Sequence, residues 1–275
     1  LMGSSNMSFW EHLDELRKVL FRAVAVLVVL MIVAFFFKET IFGKIIFAPL
    51  TSDFCLYRWL DSLLALFGSG PVGEFSIELI NIEMAAQFFT HIRVSLYVAL
   101  IVAMPFIFYL IWTFVRPALY DNEKRVIRRA FGFAGILFYV GIAVGYLLVF
   151  PLTVRFLGTY QVSPDVPNQI SLNSYIGMFV SLILIMGVVF EMPALAAVLS
   201  KFGIITKELL KKYRKHAVVI LLILAALITP SGDAVTMFFV AIPLYCLYEV
   251  SILVCKSGKS EEDEVVTDAA SGGEE

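Results

Sequence analysis

Three carboxylates are the side chains in this sequence best placed to do chemistry. The first stands in the stretch Ser8-Phe-Trp-Glu-His-Leu-Asp-Glu-Leu-Arg-Lys18, which is charged, amphipathic and runs directly into a long apolar segment. Ser8 with Glu11 three residues on fits a capping box, so a helix is expected to begin near Phe9. On it Leu13, Leu16 and Leu20 share one side, and Glu11, Asp14, Glu15 and Lys18 take the wetter side. Glu15 falls one turn before the apolar run, where a carboxylate meets water, headgroups and a docking peptide together. Glu123 occupies the matching place before another apolar run. Two such carboxylates at one interface can each take an arginine through charge-assisted, bidentate hydrogen bonds. The plainer alternative pairs Glu15 with Lys18 on its own helix, and Glu123 with a cation among Lys124 to Arg129.

Glu191 is the third. It is the single charge inside the run Phe179 to Leu199. An ionisable group at that depth costs about 2.5–3.5 kcal/mol on insertion scales, which points to a functional or partner-contacting role. The structural alternatives are a protonated carboxyl, or a bond to a backbone carbonyl freed by Pro193. Asp233 immediately precedes an apolar run and suits a helix cap as well as any other role. Trp112 and Phe114 end a span, where aromatic residues ordinarily form an interfacial belt.

These groups need positioning elements, and composition says where those lie. Apolar residues make up 60% of the 275-residue chain and charged residues 16%, with mean hydropathy +0.89. Soluble domains carry about a quarter charged residues, so the expectation is an all-α integral membrane protein. Six transmembrane spans are read: Val19–Phe37, Ile92–Val115 with Pro105 kinking it, Ala130–Phe150, Asn173–Ser200, a short fifth over Ala217–Ile228, and Ala234–Val254 following at once in a tight hairpin. Both the fifth and sixth are read as short spans. Between the first two spans, Ile41–Leu50 reads as an interfacial helix ending at Pro49. Phe54–Phe67 reads as an amphipathic helix, and Gly68–Pro71 as a turn. A charged loop is expected over Arg116–Arg129, a polar loop over Pro151–Leu172 and a basic loop over Lys201–Lys215. Gly141-xxx-Gly145 permits close helix contact, with lipid-facing glycine the alternative.

Residues 1–6 read as a cloning remnant, 7–256 as one six-helix transmembrane domain and 257–275 as an acidic, disordered tail. With six spans, sixteen lysines and arginines fall on the side of the termini and five on the other. The positive-inside rule then places both termini in the cytoplasm. The three cysteines are scattered, the histidines form no ligand set, and no phosphate loop, nucleophile elbow or zinc motif occurs. No enzyme activity and no cofactor are expected, and nothing suggests nucleic-acid binding. A proton-coupled secondary transporter using Glu191 is the competing reading. It lacks internal repeats and paired polar groups at the midplane.

The motifs together resemble the TatC family, the core subunit of the twin-arginine (Sec-independent) protein translocase. The resemblance is carried by His12-Leu-Asp-Glu-Leu-Arg-Lys18, Ala48-Pro-Leu50, Trp112-Thr-Phe-Val-Arg-Pro-Ala-Leu-Tyr120 with Glu123-Lys-Arg125, Phe138-Tyr-Val-Gly141 and Phe150-Pro151. It continues through Phe190-Glu-Met-Pro193, Thr229-Pro230 before Asp233, and Ala241-Ile-Pro-Leu-Tyr-Cys-Leu-Tyr-Glu249. It implies a multi-pass protein of the bacterial inner membrane that binds twin-arginine signal peptides of folded cargo. It also implies TatA-type and TatB-type single-span partners, self-association in a larger complex, and export driven by the proton-motive force. The resemblance assigns Glu15, Glu123, Phe114 and Arg17 to the signal peptide, and Glu191, Ala226, Leu227 and Met237 to partner helices. Two departures stand out. Ser52–Gly73 is additional sequence in the first outer loop, and Met237 stands where some relatives have a polar residue.

Overall fold

The computed structural model describes residues 9–66, 75–118, 120–163, 165–166, 168–229 and 232–255. The proposed cap at Ser8, the turn at Gly68–Pro71, the remnant 1–6, the tail 257–275 and the side chain of Glu123 lie outside the described residues.

The first described helix is α1 (Phe9–Phe36), and the charged motif lies on it. It packs antiparallel along α3 (Ala86–Val115), fixed by a contact at each end. His12 of α1 stacks on Phe114 of α3, and His91 of α3 stacks on Phe35 of α1, with its Nε2 3.0 Å from the Phe35 carbonyl oxygen. Away from its face on α3 the helix is largely uncovered, and Leu20, Phe21, Val29 and Phe36 are all exposed. Water would not tolerate so large an apolar face; lipid accepts it without cost.

The chain between α1 and α3 caps the end of the bundle away from the described termini. A π-helical turn (Thr40–Ile46) leads to a 3₁₀ turn (Ala48–Leu50) containing buried Pro49. The amphipathic helix α2 (Cys55–Leu66) follows, close to its expected bounds. Tyr57 is its anchor. This side chain is fully buried, donates its hydroxyl to the Pro151 carbonyl at 2.8 Å and lies 3.3 Å from that of Pro49. Burial pushes the phenol's pKa up, against the opposing pull of the Arg155 guanidinium, so it remains a donor at physiological pH. Two further tyrosines close the same end: Tyr146 donates to the Ile45 carbonyl at 2.9 Å and Tyr175 to that of Ile46 at 2.6 Å. The described part of the additional outer-loop sequence, residues 52–66, is thus built into the fold. Two short strands there, β1 (Leu79–Ile80) and β2 (Ile170–Ser171), pair in parallel, a feature absent from the all-α expectation.

Three expected boundaries are corrected. The segment Arg116–Arg129 is not a loop: a 3₁₀ turn (Arg116–Ala118) gives way to α4 (Asp121–Val144), whose charged first turns extend the apolar helix beyond the hydrophobic run. The loop expected from Pro151 is also helix through Thr159. A π-helical turn (Gly145–Val149) passes into α5 (Phe150–Thr159), and Pro151 sits in that first turn, where its missing N–H matters least. The fourth span, conversely, is broken. Helix α6 (Leu172–Val189) stops and α7 (Met192–Lys201) restarts, because Pro193 clashes with the carbonyl four residues back, at Val189. Helix α3, by contrast, runs through Pro105 without interruption.

The Lys201–Lys215 segment holds α8 (Lys207–Lys212), capped by Thr206, whose hydroxyl accepts from Leu209 N at 3.3 Å. The last two helices are α9 (Arg214–Ile228) and α10 (Ala234–Val254). Five helical stretches among the described residues are long and apolar enough to cross a membrane: Trp10–Phe36, Ala86–Val115, Ile127–Thr159, Leu172–Lys201 and Ala234–Val254. The short sixth span is therefore corrected, since α10 has 21 residues, about 32 Å at 1.5 Å each. With 15 residues, α9 reaches about 22 Å, short of a ~30 Å hydrocarbon core.

Helix α6 is the centre. Tyr175, Ile176, Leu182 and Met186 are completely buried in a helix that packs against α3, α4, α5 and α9. Its contact with α4 depends on glycines. A Cβ on Gly141 would lie 2.6 Å from the Met186 carbonyl oxygen and 2.8 Å from Phe190 Cβ, and one on Gly187 would lie 2.8 Å from Phe138 and Ile142 side chains. Gly145 is nearly as tight, with Ile183 Cα at 3.2 Å. The Gly141-xxx-Gly145 face is thus turned inward, and the lipid-facing alternative is set aside.

Candidate functional site

The motif residues gather at the end of the bundle where α1 begins and α3 finishes. His12 and Phe114 lie with ring centroids 4.3 Å apart and planes inclined by 25°, which pins the start of α1 to the end of α3. Glu15 follows His12 by three residues and is half-exposed. Its Oε1 accepts from Lys18 Nζ at 3.0 Å, so the local ion pair is present. Both side chains are well exposed, and such a pair is worth at most about 1 kcal/mol. An incoming guanidinium can displace the lysine cheaply. Arg17 is exposed too, its guanidinium carbon 5.9 Å from the Phe21 ring centre. The backbone of Glu123 lies in the first turn of α4, directly after the corner that leaves Phe114. Trp112 holds that corner against Phe131 of α4, with centroids 5.9 Å apart.

Two features of this end escaped the sequence reading. His12 was grouped with scattered histidines, although its place three residues before Glu15, within the charged motif, was the available signal. Glu249, at the end of the last motif, forms an ion pair with Arg214: Nη2 donates to Oε2 at 2.6 Å, and Tyr245 donates its hydroxyl to Oε1 at 3.1 Å. Tyr248 donates to the Leu210 carbonyl at 2.7 Å. Together these fasten the start of α9 to the end of α10. No spacing rule links residues 35 apart.

Glu191 stands elsewhere, at the break between α6 and α7. Its backbone N–H donates to the Val188 carbonyl at 3.1 Å and its carbonyl accepts from Leu195 N at 2.9 Å. The carboxyl oxygen Oε1 is buried without a hydrogen-bond partner among the described residues. The alternative in which Pro193 frees a carbonyl for it is not what forms. A buried acceptor left unpaired costs about 1–3 kcal/mol, more when charged.

The remaining candidates lie on the α9–α10 hairpin. Ala226 and Leu227 are exposed at the end of α9, whereas Met237 is half-buried against the core. Asp233 caps α10, with Oδ1 accepting from Thr236 N at 2.7 Å. Among the described residues no group of three or more metal-ligating side chains occurs.

The sequence matches the family described as Sec-independent protein translocase protein (TatC) over residues 11–243. The protein of that name from Blattabacterium sp. subsp. Periplaneta americana is 35% identical over 254 residues, covering 91% of this chain and 95% of that protein. The one from Helicobacter pylori strain 26695 is 36% identical over 245 residues, covering 89% of this chain and 86% of that protein. A crystal structure of the twin-arginine translocase receptor TatC in DDM superposes with a TM-score of 0.70 at 33% identity, covering 90% of this chain and all of that one. The match spans both the charged front motif and the broken fourth helix, and this chain belongs to the TatC family, a multi-pass membrane component of the twin-arginine translocase.

Proposed function

We propose that this chain is the signal-peptide receptor and assembly platform of a twin-arginine translocase, exporting folded proteins across the cytoplasmic membrane at the expense of the proton-motive force. The observation that carries the reading is the stack of His12 on Phe114, which holds Glu15 at the end of the bundle from which α4 and Glu123 depart. In this reading the two termini are cytoplasmic and the twin arginines of a signal peptide bind Glu15 and Glu123, with Phe114 and Arg17 lining the same site. Guanidinium suits this role better than ammonium, because its planar fork matches a carboxylate edge-on. The unpaired Glu191 carboxyl then accepts a polar side chain from a TatA-type or TatB-type partner helix. Ala226, Leu227 and Met237 offer that partner an apolar surface beside the short α9. Copies of the chain associate within the larger complex. The transporter reading is not favoured: the groove between α3, α4 and α6, about 350 Å³, is walled almost wholly by apolar side chains such as Ile101, Ile142 and Ile183.

Binding of a labelled twin-arginine signal peptide to the purified protein tests the proposal. Glu15→Gln and Glu123→Gln should each weaken binding by about 10- to 100-fold, the worth of one charge-assisted contact. A twin-lysine peptide should lose a similar amount on the unaltered protein. Glu191→Gln should leave peptide binding intact and reduce recovery of the partner subunits. Unchanged peptide affinity in folded Glu15 and Glu123 variants would reduce both to ordinary surface charges.

A further inference from the structure

A cavity of about 550 Å³, with both polar and apolar walls, opens at the end of the bundle opposite the proposed peptide site. Its polar walls are Lys38, Glu39, Gln87, Thr90 and His91, from the chain just past α1 and the first turn of α3. Two observations point to an occupant. Thr90 is 1% exposed, yet its hydroxyl has no hydrogen-bond partner among the described residues. Buried hydroxyls are rarely left so, and each costs about 1–3 kcal/mol. Lys38 and Glu39 are adjacent, opposite in charge and exposed, and neither forms an ion pair among the described residues.

The depth of the cavity says what kind of molecule reaches it. The exposed apolar surface of α1 ends at Phe36 and Phe37, and Phe88 and Phe89 of α3 are exposed at the same level. There the apolar surface gives way to exposed Lys38, Glu39 and Gln87, the change expected where hydrocarbon meets headgroups. Phe42, Phe47 and Leu172 complete the lining as apolar walls on which acyl chains can lie. A soluble anion would have no use for those walls, and an anionic headgroup would meet the Glu39 carboxylate.

We infer that this cavity binds a zwitterionic phospholipid bearing a primary amine, of the phosphatidylethanolamine class. The phosphate takes the Lys38 ammonium, the Gln87 amide and the Thr90 hydroxyl, and the lipid ammonium donates to the Glu39 carboxylate. His91 contributes packing, since its Nε2 is already engaged with the Phe35 carbonyl oxygen and its ring lies 3.9 Å from that of Phe35. A quaternary choline headgroup cannot donate a hydrogen bond to Glu39, and a glycerol headgroup brings no cation. The site therefore discriminates by headgroup. It rests on the membrane-spanning fold alone and not on the peptide-binding proposal.

Native mass spectrometry of the purified full chain, titrated with phosphatidylethanolamine, phosphatidylglycerol and phosphatidylcholine of identical acyl chains, tests this. The unaltered protein should retain one phosphatidylethanolamine at concentrations about ten-fold below the other two. Glu39→Gln should erase the preference for the primary amine over choline. Lys38→Gln should weaken all three lipids about ten-fold. Thr90→Val should weaken all three while raising the melting temperature of the lipid-free protein, because it deletes an unpaired buried hydroxyl. Equal retention of the three lipids, an unchanged preference in a folded Glu39 variant, or unchanged lipid affinity in a folded Lys38 variant would overturn the assignment. Displacement of the lipid by millimolar O-phosphoethanolamine would also overturn it, in favour of a soluble ligand.

Discussion

Replacing Gly141 by alanine should drive α4 away from α6, and the cost can be worked from the contacts. The added methyl would sit 2.6 Å from the Met186 carbonyl oxygen and 2.8 Å from Cβ and Cγ of Phe190. Two of these three neighbours are backbone or the root of a side chain, so neither swings aside. Overpacking of this kind costs about 1–3 kcal/mol, and a rigid backbone neighbour argues for the upper end. Alanine returns up to about 1 kcal/mol through helix propensity. The net loss is about 2 kcal/mol. Gly132, on the same helix, supplies the control. A Cβ there meets nothing within 4 Å, so Gly132→Ala keeps the propensity gain without the clash. The two variants should differ by about 3 kcal/mol, a gap in melting temperature on the order of 5–10 °C in detergent. Gly145→Ala should fall between them, because its nearest neighbour, Met186 Cβ, lies 3.1 Å away instead of 2.6 Å. Thermal unfolding followed by circular dichroism reads the order. Phe190 precedes Glu191, so Gly141→Ala should also impair translocation while leaving signal-peptide affinity unchanged. Equal melting temperatures for the Gly141 and Gly132 variants would refute the close approach of the two helices.

Two further outcomes are expected. Asp233→Ala removes the cap on α10 and should cost about 0.5–2 kcal/mol, read as a fall in melting temperature; Asp233→Ser, which also accepts from the Thr236 amide, should recover most of it. Tyr57→Phe deletes the hydroxyl that reaches Pro151 and should cost about 0.5–1.5 kcal/mol. Limited proteolysis should then cut the α2 region faster than in the unaltered protein, while peptide binding at the far end stays the same.

Much of the molecule is legible in order. The apolar runs locate the long helices, amphipathy locates α2, and an aspartate before an apolar run gives the α10 cap. These are local quantities, set by residues within a turn or two of each other. Proline was the weakest guide. The same residue type lies in a helix interior at Pro105, enters a first turn at Pro151 and breaks a span at Pro193. What differs is the surroundings: the Ile101 carbonyl, four residues before Pro105, accepts from the Tyr139 hydroxyl at 2.9 Å, whereas Pro151 and Pro193 stand in the first turns of α5 and α7.

Sequence alone determined that this chain lives in a membrane, where its long apolar runs lie, and to which family its motifs point. Tertiary structure alone decided which way the apolar faces turn. Gly141, Gly145 and Gly187 face the core instead of lipid, His12 meets Phe114 across 102 positions, Arg214 meets Glu249, and the Thr90 hydroxyl is shut away without a partner. The physical reason lies in the solvent. In water a helix advertises its buried side by an apolar stripe, but lipid tails and protein interior are equally apolar. No amphipathic pattern then distinguishes inside from outside, and shape, close approach and polar pairing between distant residues settle the packing.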